Sequence, residues 1–191
     1  PADAQGALAL LALGVTAVEA GRYEEALGYL KKIGSRLPEL GDYLAYYQGQ
    51  ALAGLERHAE AAGSLSKIAG FQPASPLAGN AAVAAARAWL AAGNPAGARA
   101  HLESQYSRLP QPAGDLTLAA AFEAEGSLAQ AAYYAQRVYF GYPLSSEAAS
   151  AQKQLARLRN QLGPDYPPPL ASDMLARAGK LFEAGEYRRA L

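Results

Sequence analysis

The chain of 191 residues contains no cysteine. This absence excludes disulfide bonds, thiol catalysis and zinc sites built on cysteine. The β-branched residues that fill strands are also scarce, whereas alanine, the best helix former, occurs 46 times. The composition therefore predicts an all-α protein.

Neither sign of charge is in excess, because 17 Lys and Arg balance 17 Asp and Glu. A protein that binds nucleic acid normally has a basic excess to neutralise phosphates. Apolar runs of membrane-spanning length are missing as well. We therefore expect no nucleic-acid partner and no membrane span.

Groups with obvious chemistry are few. His58 and His101 are the only histidines, and they fall in different predicted helix pairs. The sequence has no metal-binding histidine motif, no acidic metal loop and no glycine-rich phosphate loop. We therefore predict no catalytic residue, no cofactor site and no metal site in this chain.

A set of residue types recurs along the chain with a period near that of a known repeat. Four prolines follow one another at intervals of 35, 37 and 33 residues: Pro38, Pro73, Pro110 and Pro143. Small residues stand 24 positions before them, at Gly14, Gly49, Ala86 and Ala119. Turn residues stand 17 positions before them, at Gly21, Glu56, Gly93 and Gly126. Alanines stand 12 positions before them, at Ala26, Ala61, Ala98 and Ala131. Apolar residues stand eight positions before them, at Leu30, Leu65, Leu102 and Ala135.

This pattern resembles the tetratricopeptide repeat, in which a helix, a tight turn and a second helix form one unit of about 34 residues. The small residues allow the two helices to approach closely, and a left-handed glycine ends the first helix. Proline ends the second helix because it cannot continue it. Larger residues 21 positions before the prolines are expected to fill the core between helices: Leu52, Trp89 and Phe122. The resemblance implies a right-handed α-solenoid of about eleven helices.

The chain divides into three predicted segments. Residues 1–143 form four tetratricopeptide-like helix pairs, and residues 144–169 form an unpaired longer helix and a proline-rich connector. Ser145 or Ser146 is expected to cap that longer helix. Residues 170–191 begin a further pair, whose first helix Ser172 or Asp173 is expected to cap.

The last nine residues, "EAGEYRRAL", nearly copy "EAGRYEEAL" at residues 19–27. The copy stops before a second helix is complete, so we expect the chain to be a fragment of a longer protein. A helix pair buries its apolar face only by pairing, which makes this an unfavourable place to end.

Tyrosine is the one enriched functional group. The candidate groove aromatics are Tyr43, Tyr46, Tyr47, Tyr133 and Tyr134. Such rings form a stacking surface for sugars or peptides, or they wedge between helices with the hydroxyl reaching a polar partner. The sequence leaves both interpretations open and favours the structural one.

Two phrases carry a more specific resemblance. "GDYLAYYQGQALAGLERHAEA" and "FQPASPLAGNAAVAAARAWLAAG" resemble the superhelical region of soluble lytic murein transglycosylases. "YFGYPLSSEAASAQKQLARL" and "YPPP", followed by "RAGKLFEAGEYRRAL", resemble the later part of that region. Membership would imply the N-terminal scaffold of a periplasmic enzyme that cleaves peptidoglycan glycan strands, with its catalytic domain absent from this chain.

The family's catalytic glutamate typically lies in a Glu-Ser motif, and Glu103-Ser104 matches it. We interpret this match as accidental, because Leu102 beside it occupies a repeat core position. A glutamate with a raised pKa also needs an apolar cleft.

Three functions are compatible with the sequence. The first is a non-catalytic scaffold of a peptidoglycan lytic transglycosylase, located in the periplasm or cell envelope, with glycan strands or envelope proteins as partners. The second is a protein-binding tetratricopeptide adaptor of the cell envelope. The third is an outer-membrane assembly or lipoprotein scaffold of the same repeat class.

Overall fold

The computed structural model describes residues 4–190, and these residues are helical with no strand among them. Residues 1–3 and 191, which belong to the first and last predicted segments, lie outside the described part. The predicted all-α class is confirmed. It follows from the abundance of alanine, which loses no side-chain entropy in a helix.

The chain forms two compact units, unit 1 ending at Leu109 and unit 2 beginning at Pro110. Unit 1 contains α1 Ala4–Glu19, α2 Tyr23–Lys31, α3 Gly41–Gly54, α4 His58–Ser66, α5 Ala78–Ala91 and α6 Pro95–Ser104. Unit 2 contains α7 Ala113–Ala124, α8 Leu128–Gly141, α9 Glu147–Leu162, α10 Ala171–Glu183 and α11 Tyr187–Ala190. The described residues thus hold eleven α-helices, the expected number. In unit 1 each helix packs against the next one in the chain, as α1 does against α2. In unit 2 the same holds for α7 with α8, α8 with α9 and α10 with α11, but α10 packs on α8.

Five tight turns share one backbone geometry. Their turn residues have positive φ, between 59° and 80°: Gly21, Glu56, Gly93, Gly126 and Gly185. The amide that follows each turn residue donates to the carbonyl five positions earlier, as Arg22 does to Ala17 at 2.8 Å. This is the bond of a Schellman C-cap, which satisfies a free carbonyl at the helix end. The sequence predicted the glycine turns, and Glu56 adopts the same conformation without being glycine.

The predicted close approach of paired helices is confirmed in unit 1. A Cβ on Gly14 would lie 2.5 Å from Leu30 Cδ2, and a Cβ on Gly49 would lie 2.5 Å from Leu65 Cγ. In unit 2 the corresponding residues, Ala119 and Ala135, belong to one core cluster and are fully buried. Ala135 is smaller than Leu30 and Leu65, and it therefore leaves room for the methyl group of Ala119.

The larger core residues are only half-buried. Leu52 packs beside Ala51 and Ala61, and Trp89 packs beside Ala88. Phe122 packs against the buried cluster that contains Ala131. They lie between helices as predicted, but small residues make up much of the fully buried core around them.

Helix α9 packs against α8, with Leu155 and Leu158 joining the two core clusters of unit 2. Ser146 is the N-cap residue, as one of the two predicted positions, but its side chain makes no cap hydrogen bond. Helix α9 begins at Glu147, and the Ser146 hydroxyl hydrogen-bonds Glu147 Oε2 at 2.9 Å instead of a helix amide. The Ser145 hydroxyl donates to the Tyr142 carbonyl at 2.9 Å.

Helix α10 also begins differently from the prediction. Ser172 and Asp173 lie inside its first turn, so neither is the capping residue, and the preceding Leu170 makes no side-chain cap. The Asp173 and Met174 amides donate to the Leu170 carbonyl. Leu170 has an extended conformation, and the helix starts directly after it.

Three cations of α10 and α11 bind the carbonyls at the end of α8. Arg177 donates to Tyr139 at 2.8 Å, Lys180 to Gly141 at 2.6 Å and Arg189 to Pro143 at 2.7 Å. Cations are stabilised at a helix C-terminus by its partial negative charge. These bonds attach α10 to the end of α8.

Candidate functional site

The three tyrosines of α3 have different surroundings. Tyr47 packs against core clusters of α1, α2 and α3, and burial raises its pKa. Tyr46 packs against the cluster around Leu65 and meets Tyr47 edge to face, with ring centroids 5.5 Å apart. Tyr43 lines a cavity of unit 1. Two of these rings therefore wedge between helices, and Tyr43 alone of the three faces this cavity.

This cavity has a volume of about 590 Å³. One wall is the start of α3 and the short turn before it, and the other is the loop that leads into α5. Its lining residues are Pro38, Glu39, Asp42, Tyr43, Phe71, Gln72, Pro73, Ala74, Ser75 and Pro76. We call it the α3 cavity. Half of its lining residues are proline or aromatic, and two carboxylates lie on the α3 side.

Asp42 is the most buried charged group of the α3 cavity, with 8% of its surface exposed. The Ser75 hydroxyl donates to Asp42 Oδ2 at 2.5 Å, and the Tyr43 amide donates to Asp42 Oδ1 at 2.9 Å. Ser75 is equally buried, and its oxygen accepts from the Leu77 amide at 3.1 Å. The carboxylate is thereby held rigidly at the cavity wall.

Phe71 packs on the backbone at the start of α3. A Cβ on Gly41 would lie 2.9 Å from Phe71 Cε1. Gly41 is therefore required for close packing and not for an unusual backbone conformation, since its φ is helical. The glycine places the Phe71 ring on the cavity wall next to Asp42.

The tyrosines of α8 lie in unit 2. Tyr134 stacks on Phe122, with rings 9° from parallel and centroids 5.5 Å apart, and packs against the core. Tyr133 is 53% exposed and contacts Arg137, whose guanidinium lies 5.8 Å from the ring centroid. Arg137 also donates to the fully buried Asp115 at 2.8 Å. Of the two rings, only Tyr133 offers a face to solvent.

Glu103 and Ser104 lie on the surface of α6. Arg99 donates to the Glu103 carboxylate at 2.8 Å, and 44% of the glutamate side chain is exposed. The Ser104 hydroxyl donates to the backbone carbonyl of His101. The carboxylate of the Glu-Ser match is therefore exposed and ion-paired on a helix surface.

His101 has an unusual environment for a histidine. Its Nε2 atom is buried without a hydrogen-bond partner, and its ring meets Trp89 edge to face at 5.0 Å. Burial lowers the pKa of His101, because the charged imidazolium loses its hydration. Across residues 4–190, His, Asp and Glu side chains form no cluster able to hold a metal ion.

Sequence reasoning did not single out Asp42, Phe71 or Ser75. Each lies inside one of the two phrases that carried the family resemblance, so the signal was present as a motif. The pairing was not predictable, because 33 residues separate Asp42 from Ser75.

No protein-family model matches this chain, and comparison with curated proteins found no match either. In the described part of the chain, no helix combines the length and the hydropathy needed to cross a membrane.

Proposed function

We propose that this chain is a non-catalytic scaffold region of a periplasmic peptidoglycan lytic transglycosylase, which positions glycan strands or envelope partners. In this proposal the helix pairs are tetratricopeptide-like repeats of the right-handed α-solenoid kind. The recurrence of one turn geometry at five sites supports the repeat interpretation, because Schellman turns recur at the same position of each pair.

One contact carries the proposal. The two phrases that resemble the transglycosylase region come together in the fold, where Ser75 of the second donates to Asp42 of the first. A buried hydrogen bond between two charged or polar groups fixes their relative position. Because this hydrogen bond joins the two phrases, their joint occurrence supports the family resemblance more strongly than either phrase alone.

The non-catalytic part of the proposal rests on the environment of Glu103. Its carboxylate is exposed and paired with Arg99, which is not the enclosed apolar site that a general acid of this family needs. The catalytic domain that the family implies would have to be supplied by other residues.

The adaptor function is the second candidate, and the α3 cavity favours it. Aromatic and proline rings with a fixed carboxylate suit a peptide as well as a sugar. The cavity is lined by residues of unit 1 alone, so it requires no enzyme domain.

The test is to incubate the purified chain with peptidoglycan sacculi and to measure sedimentation and soluble products. We expect saturable co-sedimentation without release of muropeptides. Tyr133→Ala should weaken sedimentation, while Tyr187→Ala is the matched control, since Tyr187 is 58% exposed and outside the candidate set. Release of soluble muropeptides would show that the non-catalytic assignment is wrong. Absence of sedimentation would reject the glycan scaffold in favour of the adaptor.

A further inference from the structure

We propose that the α3 cavity binds the side chain of an arginine or lysine carried on an extended peptide segment. The inference starts from Asp42, a buried carboxylate that opens into a cavity and forms no ion pair with any Lys, Arg or His in residues 4–190. It does not depend on the cell-wall proposal, because it uses only the chemistry of unit 1.

Buried aspartates are normally paired with a cation, because a charge loses its hydration on burial. Asp115 in unit 2 follows this rule, with Arg137 at 2.8 Å. Asp42 does not, since both of its donors, the Ser75 hydroxyl and the Tyr43 amide, are neutral. Among the described residues, no Lys, Arg or His forms an ion pair with Asp42.

The carboxylate has capacity for a further donor. An ionised carboxylate offers about four acceptor positions, and one neutral donor occupies a position on each Asp42 oxygen. Asp42 also lies in the first turn of α3, where the helix dipole favours a negative charge. A cationic donor from a ligand would therefore complete the hydrogen bonding of this carboxylate.

The charge of the rim strengthens this preference. Glu39 lines the same cavity and is exposed, while its lining contains no lysine, arginine or histidine. Two carboxylates with no lining cation produce a negative potential, which attracts a positive group and repels an acidic one. An anionic or phosphorylated ligand is therefore disfavoured.

The walls suit the rest of a basic side chain. Tyr43 and Phe71 present aromatic rings, whose faces attract cations, and Pro38, Pro73 and Pro76 offer apolar surface for an aliphatic stem. A cavity of about 590 Å³ exceeds the space that one side chain fills, which leaves room for neighbouring peptide groups. The exposed Gln72 amide can both donate to and accept from such a peptide backbone.

The experiment records amide chemical shifts of the isotope-labelled chain during titration with three capped tripeptides. Their sequences are Gly-Arg-Gly, Gly-Lys-Gly and Gly-Gln-Gly. We expect the arginine and lysine peptides to shift the amides of Tyr43, Gln72 and Ala74, more weakly as salt is added. The glutamine peptide should leave them unchanged. Equal shifts with all three peptides, or no shift with any, would overturn the proposal.

Variants then test whether the carboxylates carry the binding. Asp42→Asn should raise the dissociation constant of the arginine peptide by about tenfold or more. Glu39→Gln should raise it by a smaller factor. Glu24→Gln is the matched control, because Glu24 is an exposed acid on α2 outside the cavity. The proposal fails if Asp42→Asn and Glu24→Gln bind alike.

A folding defect in Asp42→Asn would leave Glu39→Gln and Tyr43→Leu as the decisive variants. Glu39 is exposed and makes no ion pair among the described residues, so its replacement leaves the fold intact. Both variants should bind the arginine peptide more weakly than Glu24→Gln does. Unchanged binding in both would contradict the proposal.

Discussion

Each unit buries an aspartate in the first turn of a helix, and the two aspartates have partners of different charge. Asp115 of α7 pairs with Arg137 of α8, whereas Asp42 of α3 accepts from neutral groups only. The local sequences are similar, "GDY" in α3 and "GDL" in α7. Both carboxylates are buried, and the element packed against each one determines whether a cation or a neutral donor is its partner.

The opposing elements differ in length. The aspartates also lie at different distances from the small residue that contacts the second helix. Asp115 lies four residues before Ala119, whereas Asp42 lies seven residues before Gly49, which is about one helical turn nearer the helix start. Helix α8 continues to Gly141 and places Arg137 opposite Asp115, but α4 ends at Ser66. The loop containing Ser75 therefore faces Asp42 where a longer helix could have supplied a cation.

The largest effect is expected when the unit 2 pair is broken. Arg137→Met keeps an apolar stem and removes the charge that compensates Asp115. We expect a loss of about 2 kcal/mol in unfolding free energy, less than for a fully buried pair because Arg137 is 43% exposed. Urea unfolding followed by circular dichroism measures this loss. Asp42→Asn, which removes no cation partner, should lose less than about 1 kcal/mol. Equal losses in the two variants would contradict the predicted difference between the two aspartates.

The two units should also respond differently at the small-residue position. Gly49→Ala places a methyl 2.5 Å from Leu65 Cγ, and overpacking of this kind costs about 1–2 kcal/mol. In unit 2, Ala119→Gly removes a buried methyl and lowers helix propensity, with a cost of about 1 kcal/mol. Fluorescence of Trp89, the only tryptophan, reports the change in unit 1. Gly63→Ala is the control, because a Cβ there would contact nothing within 4 Å and should stabilise α4. A stabilising Gly49→Ala would contradict the predicted close approach.

Turn conformation gives a smaller, opposite pair of effects. Glu56 holds a φ of 59° in a turn whose geometry matches four turns that have glycine at this position. Glu56→Gly should relieve this strain and gain about 0.5 kcal/mol, after the greater entropy of the unfolded chain is subtracted. Gly126→Ala, in the corresponding turn of unit 2, should lose about 1 kcal/mol. Thermal unfolding measures both, and a melting temperature that falls in both variants would exclude strain at Glu56.

The smallest expected effect is a pH dependence of the unfolding free energy of unit 1. Burial lowers the pKa of His101 in the folded chain, so below about pH 6.5 the unfolded chain binds a proton that the folded chain does not. The unfolding free energy of unit 1 should therefore fall as the pH falls through that value. His101→Phe keeps a ring beside Trp89 and should remove this dependence. Urea unfolding at pH 7.5 and pH 5.5, monitored by Trp89 fluorescence, measures it. An unchanged dependence in the variant would assign it to other groups.

Much of the local structure was predictable from residue types at fixed spacing. Glycine turns, alanine contacts and the approach of Gly49 to Leu65 depend on sterics within one helix pair, whose residues lie close together in the sequence. The caps at Ser172 and Asp173 were predicted wrongly, because the proline connector let α10 begin earlier than they require. The α3 cavity was not predicted, since its walls come from segments about 30 residues apart.

The sequence by itself determined that this chain is helical, where its turns fall and which faces carry small residues. Those features follow from propensity and backbone sterics, which act over a few residues. Only the tertiary structure decided that Asp42 opens into a cavity with neutral donors while Asp115 meets an arginine. Compensation of a buried charge depends on which distant groups reach it, and helix lengths and loops set that distance.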